Sequence, residues 1–356
     1  MEANTPVISG YFPLWRPIVA LTLFCGLFVL FTFVPSFVHL PSTSFFSASR
    51  SSSNVSHSLR SPPFVPDELV VVSLTTTIDR LQYLNCTLFS IFKQSVLPDE
   101  IILNVPLTSR RFKKDYPSDI LSVIFPLGLP VVPCKLTIQR MKDWGPATKF
   151  IPTITRELEA KRFDTFIIII DDDVIYPPHL IESLLRTATR EGRSQAVGFR
   201  GWCAPESMSW DWDSFSRLVI AGERLEQQEE SVAVDILEAT SGVMVRSGFF
   251  RNHSVEIPSD APDSAFYMDD IWMHGILSLN KVGRRVVHID VPSQHRGEVN
   301  RKTKTLDSAP MGRGYHNTRM LQRFRSSWSK CTSRQRPPPP GYKRPVLLTC
   351  DMMYPK

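Results

Sequence analysis

Phe166-Ile-Ile-Ile-Ile-Asp-Asp-Asp-Val-Ile-Tyr-Pro-Pro-His-Leu180 is the stretch on which the fold turns. Five consecutive apolar residues, Phe166 to Ile170, predict a strand apolar on both faces, the mark of a central strand in a parallel sheet. Three carboxylates follow without a spacer. Two prolines then interrupt the chain, and Leu180, Ile181, Leu184, Leu185 and Ala188 recur at helical spacing. This order puts Asp171, Asp172 and Asp173 at the carboxyl end of a buried strand, where open α/β sheets bind their ligands.

The flanking sequence supports the same class. Leu69-Val-Val-Val-Ser-Leu74 is a short buried-strand signal, Leu84, Leu88, Ile91 and Phe92 recur at helical spacing, and Glu100-Ile-Ile-Leu-Asn-Val105 reads as a second strand. A strand–helix–strand unit implies a parallel pair. Pro146 opens another helical stretch, with Phe150, Ile151, Ile154 and Leu158 on one face. Pro152 falls in its first turn, where proline is tolerated. The fold class is α/β, without internal repeats.

Three adjacent carboxylates repel one another, and taking them out of water costs several kcal/mol per ion. A hard divalent cation, Mn2+ or Mg2+, removes both penalties and bridges them to a diphosphate. In an extended segment Asp171 and Asp173 point one way and Asp172 the other. The first two are therefore expected to ligate metal, with Asp172 facing a sugar or ribose. The competing reading is an acidic turn that caps the next helix. Trp144-Gly-Pro-Ala-Thr-Lys149 forms a second candidate. Gly145 allows close backbone approach, Pro146 starts a helix, and Lys149 lies where it could meet a nucleotide; an ordinary capped turn explains it equally well. Asp269 and Asp270 precede an apolar run (Ile276, Leu277, Leu279) that should form a helix, whose positive N-terminal end is expected to keep Asp270 ionised and ready to act as a base. Trp202, Trp210 and Trp212, with Asp211 and Asp213, read either as a sugar-stacking platform or as core.

These motifs together resemble GT-A-fold glycosyltransferases over roughly Glu68 to Val291. The quoted strand with its acids is similar to their DxD motif. Asp269-Asp270-Ile271-Trp272 is similar to the Glu-Asp-Val-Tyr-type motif of β-1,3-galactosyltransferase-like enzymes and to the Glu-Asp of family-two-like transferases, and Ala239-Thr-Ser-Gly-Val-Met-Val245 to the acceptor-side strand. Two departures stand out: Asp269 replaces a Glu, and the Trp144–Lys149 segment has no clear counterpart. The resemblance implies a Rossmann-like nucleotide-sugar half joined to an acceptor half. It further implies transfer from a UDP-sugar to a hydroxyl of a glycan, glycoprotein or glycolipid, with inversion. Asp270 would be the base beside Asp269. Thr75, Lys149, Asp171 and Asp172 would hold the donor, and Asp171 and Asp173 the metal. His295 is preferred to His288 as one further ligand. The alternatives are a haloacid-dehalogenase-like phosphohydrolase, which also places DxD after an apolar strand, and a non-catalytic lumenal binding protein.

Composition adds the layout. The chain has 356 residues, 42% hydrophobic and 21% charged, with formal charge +6. Residues 281–356 hold 17 Lys and Arg against 4 Asp and Glu, which suggests an anionic partner for this basic region or else a solvated tail. No nucleic-acid motif or metal-binding cysteine pair occurs, so no nucleic-acid partner is expected. Cys331 and Cys350 bracket a Pro-rich segment and are the expected disulfide. The uncharged span Pro17–Val34, with apolar character to Leu40, suits a membrane-crossing helix. The expected order is a cytoplasmic tail (1–16), a signal-anchor (17–40), a Ser/Pro-rich stem (41–66), a catalytic domain (67–325) and a basic Pro-rich tail (326–356). Sequons at Asn54, Asn85 and Asn252 fit a lumenal domain, and the layout is that of a single-pass type II Golgi enzyme. Expressed in a secretory cell, the chain should shift in mobility on glycosidase digestion. An unshifted chain whose C-terminus is open to cytosolic protease contradicts this topology.

Overall fold

A computed structural model describes residues 67–225, 231–306, 309–329 and 331. The span 17–40, the stem and most of the C-terminal tail lie outside the described residues. Among the described residues no helix is long and apolar enough to cross a membrane.

The core is one eight-stranded sheet: β1 (Val70–Thr75), β2 (Glu100–Pro106), β3 (Lys135–Met141), β4 (Phe166–Ile169), β5 (Gln195–Gly198), β6 (Val232–Ala233), β7 (Val243–Arg246) and β8 (Gly283–Val286). Their order across the sheet is β6-β8-β5-β7-β4-β1-β2-β3. Strands β4, β1, β2 and β3 form a parallel block, β8 and β5 pair in parallel, and β7 runs antiparallel between β4 and β5. The strand expected at 166–170 is β4, and it is central. The sheet is mixed because β7, the strand expected within Ala239–Val245, enters reversed.

Alternation along β4 builds two cores. Ile167 and Ile169 pack into one cluster, together with α2 (Ile151–Glu159), α5 (Asp269–Leu279) and α6 (Gly312–Arg323). Phe166, Ile168 and Ile170 pack into the other, with α1 (Asn85–Phe92) and α3 (Leu180–Arg190). This two-sided burial is the physical reason the β4 sequence is apolar without interruption. Helix α4 (Trp212–Leu218) has no fully buried residue, and only Phe215 and Leu218 pack, half-buried, against the first cluster.

From β1 the chain crosses to β2 on one side, whereas β4 adds on the other. The strand order therefore reverses between β1 and β4, and the crevice outside their carboxyl ends is the binding place this topology creates. Thr75 ends β1 and Asp171 follows β4 at that crevice.

The disulfide expectation is corrected. Cys331 bonds Cys203, not Cys350, with their Cα atoms 5.5 Å apart across 128 residues. Cys86 is disulfide-bonded as well. Tertiary packing carries the C-terminal segment to Cys203. Trp328 is buried, and the Ser329 backbone N–H donates to the buried Asp235 carboxylate at 3.0 Å. Asp235 also accepts from the Ala204 N–H at 2.9 Å and pairs with Arg284 at 3.4 Å. Sequence proximity of two cysteines carries no such information.

Gly275 in α5 is a packing requirement. A Cβ there would meet the Phe324 ring at 2.3 Å. Alanine gains about 1 kcal/mol of helix propensity over glycine, but overpacking a buried ring costs about 1–3 kcal/mol. Gly275→Ala should therefore lower thermal stability, by about 2–4 °C per kcal/mol for a domain of this order of size. A melting temperature above that of the parent would show that Phe324 yields without cost.

Candidate active site

The turn after β4 is held by its backbone, which leaves the carboxylates as its variable part. Thr87 Oγ1, on α1, donates to the carbonyls of Asp172 and Val174, each at 2.8 Å. The Asp171 N–H donates to the Tyr176 hydroxyl at 2.9 Å. Val174–Ile175 pairs antiparallel with Gln294–His295, and the Arg296 N–H donates to the Asp173 carbonyl at 2.8 Å. That pairing sets His295 opposite Val174, beside the acids.

Two cations answer the carboxylates. Lys149, at the end of the 3-10 turn Gly145–Lys149, is buried. Its Nζ lies 2.7 Å from Asp171, 2.6 Å from Asp269 and 4.0 Å from Asp270. The Asp269 contact is an ion pair out of hydrogen-bond alignment. Burial works against the ammonium, but the three carboxylates outweigh it and hold its pKa well above the usual lysine range. Asp171 is lowered in turn: Lys149 overcomes the burial that opposes its charge. The Lys149 backbone is pinned too, since its carbonyl accepts from Ser73 Oγ on β1 at 2.5 Å, within a buried group containing Thr153 and Asn104. Gly145 has φ +64°, and a Cβ there would strike the Phe266 carbonyl at 2.2 Å, so glycine is needed at this close approach.

The second cation is Arg80, in the loop after β1. Its Nη1 lies 2.9 Å from Asp172 and 3.3 Å from Asp173. Asp172 also accepts from Thr76 Oγ1 at 2.6 Å. Burial, aided by the adjacent Asp173, still pushes the Asp172 carboxyl up to about 6 despite Arg80.

These placements revise three expectations. Asp172 does not present a free carboxylate to a sugar or ribose, because in the turn it swings toward Thr76 and Arg80. Lys149 is directed at carboxylates and ties the two acidic motifs together. Asp270 begins α5 as expected, but burial and the neighbouring Asp269 raise its carboxyl well above the usual range. The partial charge of the helix end, worth about 0.3–1 kcal/mol at exposed sites, does not overcome that. Asp270 accepts a 3.4 Å hydrogen bond from the Ala239 N–H.

The other expected residues divide. Thr75 Oγ1 donates to the Asn104 carbonyl at 2.7 Å, and Thr75 lines the cavity. His295 also lines it, sharing a 2.6 Å hydrogen bond with Thr240. His288 bonds the Leu225 carbonyl and Asp290 and is not among the lining residues. Trp202 and Trp210 are buried and Trp212 is exposed, yet all three line the cavity. Arg80, Thr76, Thr87 and Glu238 went unmarked in the sequence. The available signal for Arg80 was its position just beyond the carboxyl end of a buried strand.

All five acids, both cations, Thr75 and His295 surround one cavity of about 560 Å3. Asp171 and Asp270 each keep 29% of their side chains open. Such a site can hold a polyanion through cations and metal while presenting a carboxylate to a proton.

No family model and no curated protein sequence matches this chain. Among solved structures it is similar to a crystal structure of 4-diphosphocytidyl-2C-methyl-D-erythritol synthase, at TM-score 0.36 and 13% identity, over 71% of this chain and 99% of that one. At that score and identity the likeness carries no argument about chemistry.

Opposite substitutions at the cluster should have opposite signs. Removing one partner of a buried ion pair costs about 3–5 kcal/mol, so Lys149→Met should destabilise the ligand-free protein by about that much. Asp270 has a folded pKa above its unfolded one. It therefore lowers stability once pH exceeds the unfolded value of about 3.9. Asp270→Asn should accordingly raise the melting temperature at pH 7 and change it little near pH 3. Destabilisation by Asp270→Asn at pH 7 would contradict the raised carboxyl.

Proposed function

We propose that the chain transfers a sugar from a nucleotide-sugar donor, a UDP-sugar, to a hydroxyl of a glycan, glycoprotein or glycolipid. The supporting observation is the convergence of Asp171 with Asp269 and Asp270, remote in sequence, around Lys149, with Asp172 and Asp173 held by Arg80, at the point where the strand order reverses. In this reading the domain faces the Golgi lumen behind a 17–40 anchor. The basic C-terminal region meets an anionic partner.

Magnesium or manganese suits the donor set. Asp171 and Asp173 bring hard carboxylate oxygens to the lining of the cavity, and such ions commonly use one or two carboxylates plus substrate phosphates. Among the described residues, Asp171, Asp173 and His295 do not bring three ligand atoms within 4.8 Å of one another, so an all-protein cage is not the form this site takes. Asp171 and Asp173 would hold the ion, with His295 beside them. When bound, the cation supplies charge neutralisation for the departing diphosphate.

The chain's own groups do the rest. Arg80 and Lys149 hold the acid turn and compensate its charge. Asp270 accepts the proton of the acceptor hydroxyl as that oxygen bonds the anomeric carbon. The glycosyl–phosphate bond breaks with its electron pair on the diphosphate. Attack from the face opposite the leaving group inverts the anomeric centre. A raised carboxyl makes Asp270 a stronger base once deprotonated, so transfer should rise with pH above the ordinary carboxylate range.

Thermal shift with a panel of nucleotide sugars plus manganese should single out the donor, since binding stabilises by RT ln(1 + [L]/Kd). Excess chelator should abolish turnover and manganese restore it. Asp270→Asn should bind donor normally and lose transfer by at least about a hundredfold. Full activity in chelator removes the metal from the mechanism. Parental activity in Asp270→Asn with loss in Asp269→Asn moves the base to the neighbouring residue.

A further inference from the structure

Helix α4 has a proper start. The Asp211 side chain accepts from the Ser214 N–H at 2.8 Å. Of its apolar residues, Phe215 and Leu218 are half-buried against the core, whereas Trp212 is left outside it. A helix normally turns its apolar stripe to a core. Here Trp212 is 59% exposed, an unusual state for the largest side chain.

The exposed ring stands in an ordered array. Trp212 packs edge-on to Trp210 at 4.9 Å and to Phe215 at 5.8 Å, and Phe215 meets Trp202 at 5.5 Å. These four residues line the cavity that contains the acid cluster, and so do Arg200, Glu223 and Glu238. Arg200 and Glu238 form an ion pair. Glu238 precedes Ala239, whose N–H donates to Asp270. The aromatic residues and the candidate base thus line one cavity.

An aromatic face edged by carboxylates matches a pyranose ring. Its axial C–H face is apolar and packs on an indole, while its hydroxyls donate to carboxylates. An acyl chain would bury the Glu223 carboxylate without a partner, a cost of several kcal/mol. An acidic sugar placed there would meet the Glu223 carboxylate as a like charge.

Building on the sugar-transfer reading, we propose that Trp212 and Phe215, with Glu223, form the acceptor subsite and that it takes an uncharged pyranose unit of a glycan. Trp212 supplies the stacking face and so selects the acceptor, while donor binding lies at the acid turn.

The test uses the full-length chain in detergent. Methyl glucopyranoside, methyl galactopyranoside and methyl mannopyranoside are titrated against intrinsic tryptophan fluorescence without donor, and donor hydrolysis is followed separately. At least one pyranoside should quench the parent and not Trp212→Ala, and Trp212→Phe should restore binding in part. With that pyranoside as acceptor, Trp212→Ala should raise acceptor KM by about tenfold or more, the scale of a buried-tryptophan contact. Donor hydrolysis and donor KM should stay unchanged. Truncating the exposed Trp212 opens no core cavity, and donor hydrolysis by the variant checks the fold directly. The subsite is refuted if no pyranoside quenches, if only lipid or peptide acceptors compete, or if Trp212→Ala loses donor hydrolysis together with acceptor binding. Pyranoside binding lost in Trp212→Ala, in a parent that turns over no nucleotide sugar, upholds the subsite and refutes the transfer reading instead.

Discussion

Everything at this site depends on one buried ammonium. Lys149 is in contact with Asp171 from the turn after the central strand and with Asp269 at the start of α5, and Asp270 stands at the edge of its reach. Without a cation at that point, carboxylates from two separate elements would be forced together in a poorly solvated crevice, and repulsion would drive them apart. With it, their approach is favourable, and the cavity acquires its shape. The Ser73, Thr153 and Asn104 group beneath the Lys149 backbone has the same purpose one layer down, because it fixes where the ammonium can be.

The compensation is incomplete, and the remainder has chemical meaning. Five aspartates face Lys149 and Arg80. Asp171 is settled by its lysine, whereas Asp172 and Asp270 are pushed upward by burial and by their acidic neighbours. A site left short of positive charge suits a divalent cation and a diphosphate arriving together. A carboxyl raised by its surroundings suits proton transfer. In the proposed reading, one imbalance would serve two ends, drawing in a cation and tuning a base.

The cavity is uneven in a second way. On the side of β1 and β4 its wall is polar and locked by backbone hydrogen bonds, as at Thr87 and Arg296. On the side of α4 it is aromatic and open. Rigid polar geometry serves a ligand whose phosphates demand fixed positions. An exposed stacking surface serves a ligand recognised by shape.

The sequence by itself determined the class and the central strand. Phe166–Ile170 is apolar because both faces of β4 are buried, and that requirement is local enough to read directly. It also determined that Asp171–Asp173 end that strand and that Asp269 and Asp270 begin a helix, since both follow from periodicity and from what may precede a buried run. The edge strand Lys135–Met141 was not legible, because it is partly exposed and its polar residues mask the alternation. Nor were Arg80 and Thr76, which carry no pattern of their own, or the Cys203–Cys331 bond, which joins residues 128 apart. Tertiary structure alone decided that Lys149 answers carboxylates, that Asp172 turns to Arg80 and that Asp270 is held above the carboxylate range. The physical reason is that patterning records how each segment is buried, whereas charge compensation depends on which distant segments meet.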